Sequence, residues 1–193
     1  MTLMNHELTF IQNELKKELD EPRYQHTLGV MYTASAMAMC HGADLAQALT
    51  AGLLHDCAKC IPADEKIRMC KEHEIPVTDI EYANPGLLHA KLGAYLAEEK
   101  YGILDPVILD AIRYHTTGRP EMTLMDKIIY ISDYMEPGRK ELPNMNDVRY
   151  LAFHDIDACL YRILHDSLGY LNSTGKPLDP MTAETCQYYD NKR

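Results

Sequence analysis

Nine histidines among 193 residues carry most of the chemical information in this chain. The dipeptide His-Asp occurs three times, at His55-Asp56, His154-Asp155 and His165-Asp166. The first pair ends the apolar run Ala51-Gly52-Leu53-Leu54, so two polar groups enter where the chain otherwise packs inward. An ionised Asp in such a place is costly unless it is paired or bound to a metal. His26 in RYQHTLGVM, His89 in GLLHAKLGA and His115 in AIRYHTTG also fall in apolar helical surroundings, as does Asp133 in IIYISDYM. Taken singly, each His reads more readily as a core or surface side chain than as a ligand. Together they make five helices that each bring an imidazole or carboxylate from an apolar face, which is what a metal site in a helical bundle needs. Such donors without cysteine suit Fe(II), Mn(II) or Zn(II) in open geometry. Neighbouring residues on a helix point about 100° apart. His55 and Asp56 can therefore share one metal, or Asp56 can bridge two with His55 on only one. The other polar pairs read as structural: Asp155 as an N-cap at a helix break, His165-Asp166 as a solvated face, His41 and His73 as helix ends, and His6 as surface.

The elements that must position these groups are helices. Alternating β patterns are nearly absent, and helical periods recur along the chain. Acidic or amide residues before Pro mark several helix starts. Glu21-Pro22 opens a helix that stops at Gly42, and Asp44 caps the next, which is expected to run through His55 to Lys59. Pro62 opens another, Asn84-Pro85 precedes one closed by Gly102, and Asp105-Pro106 opens one closed by Gly118. Thr123 begins a helix ended by Pro137-Gly138. A long helix is expected over 147–172, broken near His154, and Asp179-Pro180 opens the last. Residues 74–84, 136–146 and 172–182 read as loops. The expected fold is all-α, a single domain over 1–193, with a core of about 22–140 and C-terminal helices from 147 packed on it.

Composition narrows the function. Nineteen Lys and Arg against 29 Asp and Glu give a net charge of −10, which argues against a broad nucleic-acid-binding surface. It does not exclude a small anionic ligand received by metals or a few local cations. No Gly-rich phosphate loop and no nucleophile elbow appear. No run reaches the roughly 18 apolar residues of a membrane span, and the start is amphipathic rather than a leader, so a cytoplasmic protein is expected. Its six cysteines should then be reduced, and Cys57 to Cys60, the lone C-x-x-C, reads as coincidence. Exposed apolar residues could support a homodimer, although no helix carries an unambiguous stripe for one.

His26, the His55-Asp56 pair and Asp133 resemble the signature of the HD-domain metal-dependent phosphohydrolases. With His89 and His115, the strings RYxHTLGV, AGLLHDxAK, HxxxGA and ISDYMEPGR are similar to the YqeK group of that family, bacterial hydrolases that cut diadenosine tetraphosphate symmetrically. The resemblance covers about residues 22–140, with an extension to about 182. It implies a helical HD bundle around a two-metal centre of divalent iron, with manganese or another divalent ion as alternatives. It assigns His26, His55, Asp56 and Asp133 to one metal and His89 and His115 to the second, with Asp56 bridging. It implies catalytic roles for Asp56 and Lys59. Nucleotide contacts would come from His26, Asp56, Lys59, His89, His115, Thr116, Asp133 and Arg139, and from the turn of Thr174, Gly175, Lys176 and Pro177. The implied reaction is hydrolysis by metal-activated water, with a dinucleoside polyphosphate as substrate, ADP as product, and neither polymeric nucleic acid nor membrane as partner. The alternatives are an HD phosphohydrolase acting on a deoxynucleoside monophosphate or a guanosine alarmone, a di-iron oxygenase, and a noncatalytic nucleotide-binding protein.

Overall fold

The computed structural model describes residues 2–175 and 178–192, and among them are eleven α-helices, one 3-10 turn and no β-strand. The fold is all-α, as expected. The amphipathic start forms α1 (Thr2–Glu18). Asp20 rather than Glu21 caps α2 (Glu21–His41), accepting the Arg23 amide at 2.8 Å, while Glu21 and Pro22 fill the first turn. Gly42 ends α2 with φ 71°, a left-handed turn that glycine adopts without a Cβ penalty. Asp44 caps α3 (Leu45–Leu54) through the Gln47 amide. Next come α4 (Ala63–Glu72), α5 (Asp79–Ala83), the 3-10 turn Pro85–Leu87, α6 (Leu88–Glu99), α7 (Pro106–Tyr114) and α8 (Leu124–Met135). The chain closes with α9 (Met145–His154), α10 (Ile156–Ser173) and α11 (Pro180–Asp190). Asp155 caps α10 by accepting the Ala158 amide at 2.9 Å, so the long C-terminal helix breaks where the sequence indicates. The side chain of His6 lies outside the described residues.

Two elements depart from expectation. The stretch 74–84 read as loop holds α5, built by a reciprocal capping box in which Thr78 and Glu81 each accept the other's amide. The helix expected to run from Asp44 to Lys59 stops at Leu54. Beyond it the backbone tightens into i to i−3 turns: the Cys57 amide donates to Leu54, Lys59 to Asp56 and Ile61 to Ala58. Side chains three apart eclipse in such turns, which stacks Lys59 over Asp56. The buried Lys66 ammonium holds these turns from below, donating to the carbonyls of Lys59 at 3.0 Å and Ile61 at 2.6 Å.

The core forms around α2 and α3. Val30, Met31, Ala34, Met37 and Ala38 of α2 are buried, as are Leu53 and Leu54 of α3 and Ile128, Ile129 and Ile131 of α8. The main apolar cluster reaches from Ile11 and Leu15 in α1 to Cys186 in α11, and a smaller one joins Ala58, Cys70, Leu88 and Leu92. Cys57 is buried and its thiol is pushed up to about 12 by burial and the nearby Asp56 charge, whereas Cys60 is exposed. Their side chains thus sit in different environments, and both are free thiols. Among the described residues no helix is long and apolar enough to cross a membrane.

At Gly52, α3 lies directly against the backbone of α2. A Cβ there would stand 2.8 Å from the Met31 Cα, a backbone atom that cannot swing aside. Gly52→Ala should therefore force the helices apart, at roughly 1–3 kcal/mol. At about 2–4 °C per kcal/mol for a chain of this size, the melting temperature should fall by roughly 2–12 °C. Thermal unfolding followed by circular dichroism measures it, and an unchanged midpoint would show that this contact relaxes freely.

Candidate metal centre

Each ligand candidate is set by a helix end or a helix face. His55 and His115 occupy the C-cap positions of α3 and α7, and His89 is in the first turn of α6. The last carbonyls of a helix have no partner within it, and His55 and His115 each supply one, while His89 reaches back to the 3-10 turn before its helix. His55 Nδ1 donates to the Gly52 carbonyl at 2.7 Å, His115 Nδ1 to Ile112 at 2.7 Å, and His89 Nδ1 to Gly86 at 2.5 Å. A carbonyl can only accept, so all three rings carry a proton on Nδ1 and turn Nε2 toward the site. His26 in α2 reaches the same tautomer differently: its Nδ1 donates to the buried Glu136 carboxylate at 3.0 Å. Such partners behind the ring fix both the tautomer and the orientation of a metal-binding imidazole.

The four Nε2 atoms converge on Asp56, which is 1% exposed. Its Oδ2 lies 3.7 Å from His26 Nε2 and 3.4 Å from His55 Nε2. Its Oδ1 lies 3.1 Å from His89 Nε2 and 3.6 Å from His115 Nε2. Asp133 in α8 joins the first group, its Oδ1 2.9 Å from His26 Nε2 and 3.8 Å from His55 Nε2. Donor atoms of His26, His55 and Asp56 lie within 4.8 Å of one another, as do those of Asp56, His89 and His115, and those of His55, His115 and Asp133. One carboxylate thus faces two histidine pairs with opposite oxygens.

The chemistry of these donors calls for positive charge. Nε2 atoms face each other across 3.1 Å between His89 and His115 and across 3.4 Å between His55 and His26. Asp56 Oδ1 is buried and has no hydrogen-bond partner. Such an orphaned acceptor is expensive in a dry site. Divalent cations between the two oxygens and the four nitrogens would satisfy every one of these atoms. The electrostatics agree. Burial alone would raise Asp56, but His55, His115 and His89 hold it well below the usual carboxylate range. Burial pushes His89 down to about 4, with His115 and Lys59 adding to the effect and Asp56 opposing it, so the ring is neutral at pH 7. Burial also opposes ionisation of Asp133, yet His26, His55 and Arg139 keep it lowered.

Cations and hydroxyls rim the cluster. Lys59 Nζ is 3.1 Å from His89 Nε2 and 3.6 Å from Asp56 Oδ1. The Thr116 hydroxyl lies 3.3 Å from His89 Nε2 and 3.2 Å from His115 Nε2. Arg139 Nε donates to the Asp133 carbonyl at 2.7 Å, and its guanidinium also pairs with the Asp133 carboxylate. Thr174 and Gly175 are exposed at the end of α10, outside this cluster, and Lys176 and Pro177 lie outside the described residues.

Two neighbours were not singled out from the sequence. Arg23 donates to Asp56 Oδ2 at 2.6 Å. Its place three residues before His26, on the same face of α2, was the available signal. Glu136 sits just past the end of α8, where helical periodicity carries no information. Two glycines make room for it: a Cβ on Gly29 would come 2.3 Å from Glu136 Oε2, and one on Gly138 3.0 Å from it.

Residues 23–138 match the family model described as HD domain. The chain is 42% identical over 168 residues to a protein of Bacillus subtilis named bis(5'-nucleosyl)-tetraphosphatase, symmetrical, covering 87% of this chain and 89% of that one. It is 40% identical over 171 residues to a Halalkalibacterium halodurans protein of the same name, covering 89% and 90%. Among solved structures it resembles a predicted HD superfamily hydrolase involved in NAD metabolism from Clostridium acetobutylicum, with a TM-score of 0.92, 38% identity, and coverage of 96% of this chain and 97% of that one.

Proposed function

This chain belongs to the HD domain family, and from that premise we propose that it hydrolyses diadenosine tetraphosphate at its central anhydride to give two ADP. The observation that carries the reading is the Asp56 carboxylate, buried and shared between two histidine pairs, with Oδ1 left unpartnered. His26, His55, Asp56 and Asp133 would hold one divalent ion, and His89, His115 and Asp56 a second. Iron(II) suits this imidazole–carboxylate set, and manganese shares the same donor preferences. When bound, such ions lower the pKa of a coordinated water toward about 7 and neutralise charge on phosphoryl oxygens.

The chain's own residues supply the rest. One water oxygen is added to a central phosphorus, the bond from that phosphorus to the bridging oxygen breaks, and the bridging oxygen leaves with the second ADP. Lys59, on the Oδ1 side of Asp56, and Arg139, beside Asp133, stand where charge develops on phosphoryl oxygens. Arg23 adds a third cation at the Oδ2 side. This local positive rim is how a chain of net charge −10 receives a polyanion. Thr116 offers a hydroxyl donor to a phosphate oxygen, and Thr174 and Gly175, exposed at the end of α10, are assigned to the nucleotide together with Lys176 and Pro177, which lie outside the described residues. The C-terminal helices share the main core with α2 and α3, which supports one domain. The free thiols fit a cytoplasmic enzyme.

The test is anaerobic purification, metal analysis, and chromatography of products from diadenosine tetraphosphate. ADP as sole product with about two ions per chain is expected, and AMP with ATP, or no product, would overturn the reading. Glu136 gives a second expected result. Glu136→Ala frees the His26 ring to turn and to change tautomer, so affinity for the ion at the His26 side should fall about 10–100-fold. Competition with a chelating dye measures this. Loss of an equal factor at the His89 side would show that Glu136 acts on the whole fold instead.

A further inference from the structure

A groove of about 890 Å3 opens beside the metal centre and runs along α2. That volume lies within the roughly 300–1,000 Å3 of clefts that take small ligands. One wall is the α2 face of Pro22, Gly29, Tyr32 and Ala36, and the other is formed by Met135 to Gly138 and by Phe153. His26 and Glu136 belong both to this groove and to the candidate metal site, so the two are continuous. Tyr32 is 64% exposed and Phe153 37% exposed. Two accessible aromatic rings in an apolar groove that ends at a phosphate-handling centre suit a flat, apolar-faced group attached to a phosphate chain.

Symmetrical cleavage requires such a place. Cutting a tetraphosphate at its middle leaves one ADP on each side of the reacting phosphorus, so nucleosides must extend in two directions. Lys59, His89, His115 and Thr116 face the Oδ1 side of Asp56, and the groove opens at the other side, by His26. Tyr32 lies six residues beyond His26, about 9 Å along the helix axis at 1.5 Å per residue. His26 and Tyr32 both line the groove, so a phosphate chain passing His26 along α2 would carry its ribose and base toward Tyr32. Resting on the dinucleoside tetraphosphatase reading above, we propose that this groove binds the second adenosine of the substrate, its base stacked against Tyr32 and Phe153.

The chain contains no Trp, so Tyr32→Trp would place a single indole in the groove. A methylene-bridged, non-hydrolysable analogue of diadenosine tetraphosphate should quench its emission in a saturable manner. Tyr32→Ala should raise KM for diadenosine tetraphosphate about tenfold, in line with the loss of one base–aromatic stack. It should also lower the preference for that substrate over adenosine 5'-tetraphosphate by a similar factor, with kcat little changed. Absence of quenching by both the analogue and ADP would overturn the groove assignment even if the wild-type chain cleaves diadenosine tetraphosphate. Equal effects of Tyr32→Ala on the one-nucleoside and two-nucleoside substrates would overturn it as well. Emission that changes on dilution of the protein alone would place a second copy of the chain in the groove and reject the proposal. Quenching by the analogue in a chain that makes no ADP would support the purine site and overturn the tetraphosphatase reading instead.

Discussion

Asp56→Ala should abolish binding of both ions and reduce turnover of diadenosine tetraphosphate by at least about 10⁴-fold, a fraction of the 10⁶-fold or greater acceleration that enzymes typically give. The argument is geometric. Asp56 presents Oδ2 to His26 and His55 and Oδ1 to His89 and His115, so one carboxylate serves both histidine pairs. Removing it leaves four imidazoles and Asp133, with no carboxylate paired to His89 on the second side. The fold should survive the change. Arg23, the direct partner of Asp56, is partly exposed and can turn to solvent, and the three buried histidines keep their Nδ1 bonds to backbone carbonyls. Metal analysis and thermal unfolding of the metal-free proteins separate the two effects. Two ions per chain retained in Asp56→Ala would refute the bridging role, whatever the activity.

Much of this centre was legible in the sequence because its ligands come from helix faces and helix ends. An imidazole or carboxylate in an otherwise apolar helical run has few cheap destinations, and His26, His55, Asp56, His89, His115 and Asp133 do meet in space. The caps at Asp44, Asp105, Thr123, Asp155 and Asp179 were equally readable, since each depends on residues within one turn. What escaped was set over longer range or by competition between local patterns. Glu136 meets His26 across 110 residues, and no spacing rule anticipates that contact. The end of α3 at Leu54 runs against the helical pattern through Lys59. It depends on tight turns held by Lys66 from the following helix, a contribution visible only once the chain has closed on itself. That misplaced boundary has a chemical consequence. A continuous helix would rotate Asp56 and Lys59 about 60° apart, whereas the tighter turns stack them.

Stacking Lys59 over Asp56 separates its role from that of the ligands. Lys59 lies three residues after Asp56, its ammonium 3.6 Å from Oδ1, and its side chain remains about one-third exposed, as a group that must meet an arriving phosphate should. Lys59→Ala should therefore lower kcat about 10²–10³-fold, the scale seen when one preorganised donor to a developing negative charge is removed. Both ions should stay bound, because His89, His115 and Asp56 keep their own supports and lose a repulsive neighbour. Lys59→Arg should recover only part of the rate, since the guanidinium's planar fork replaces a compact point charge above an eclipsed carboxylate. Stopped assays with metal content measured on the same samples distinguish the outcomes. A fall in kcat that tracks loss of metal would make Lys59 a support of the centre, while full metal with slow turnover assigns it to the phosphate. The two variants therefore read different layers of one site: Asp56→Ala removes the ions and with them the reaction, and Lys59→Ala leaves the ions in place without the cation that meets the charge they cannot reach.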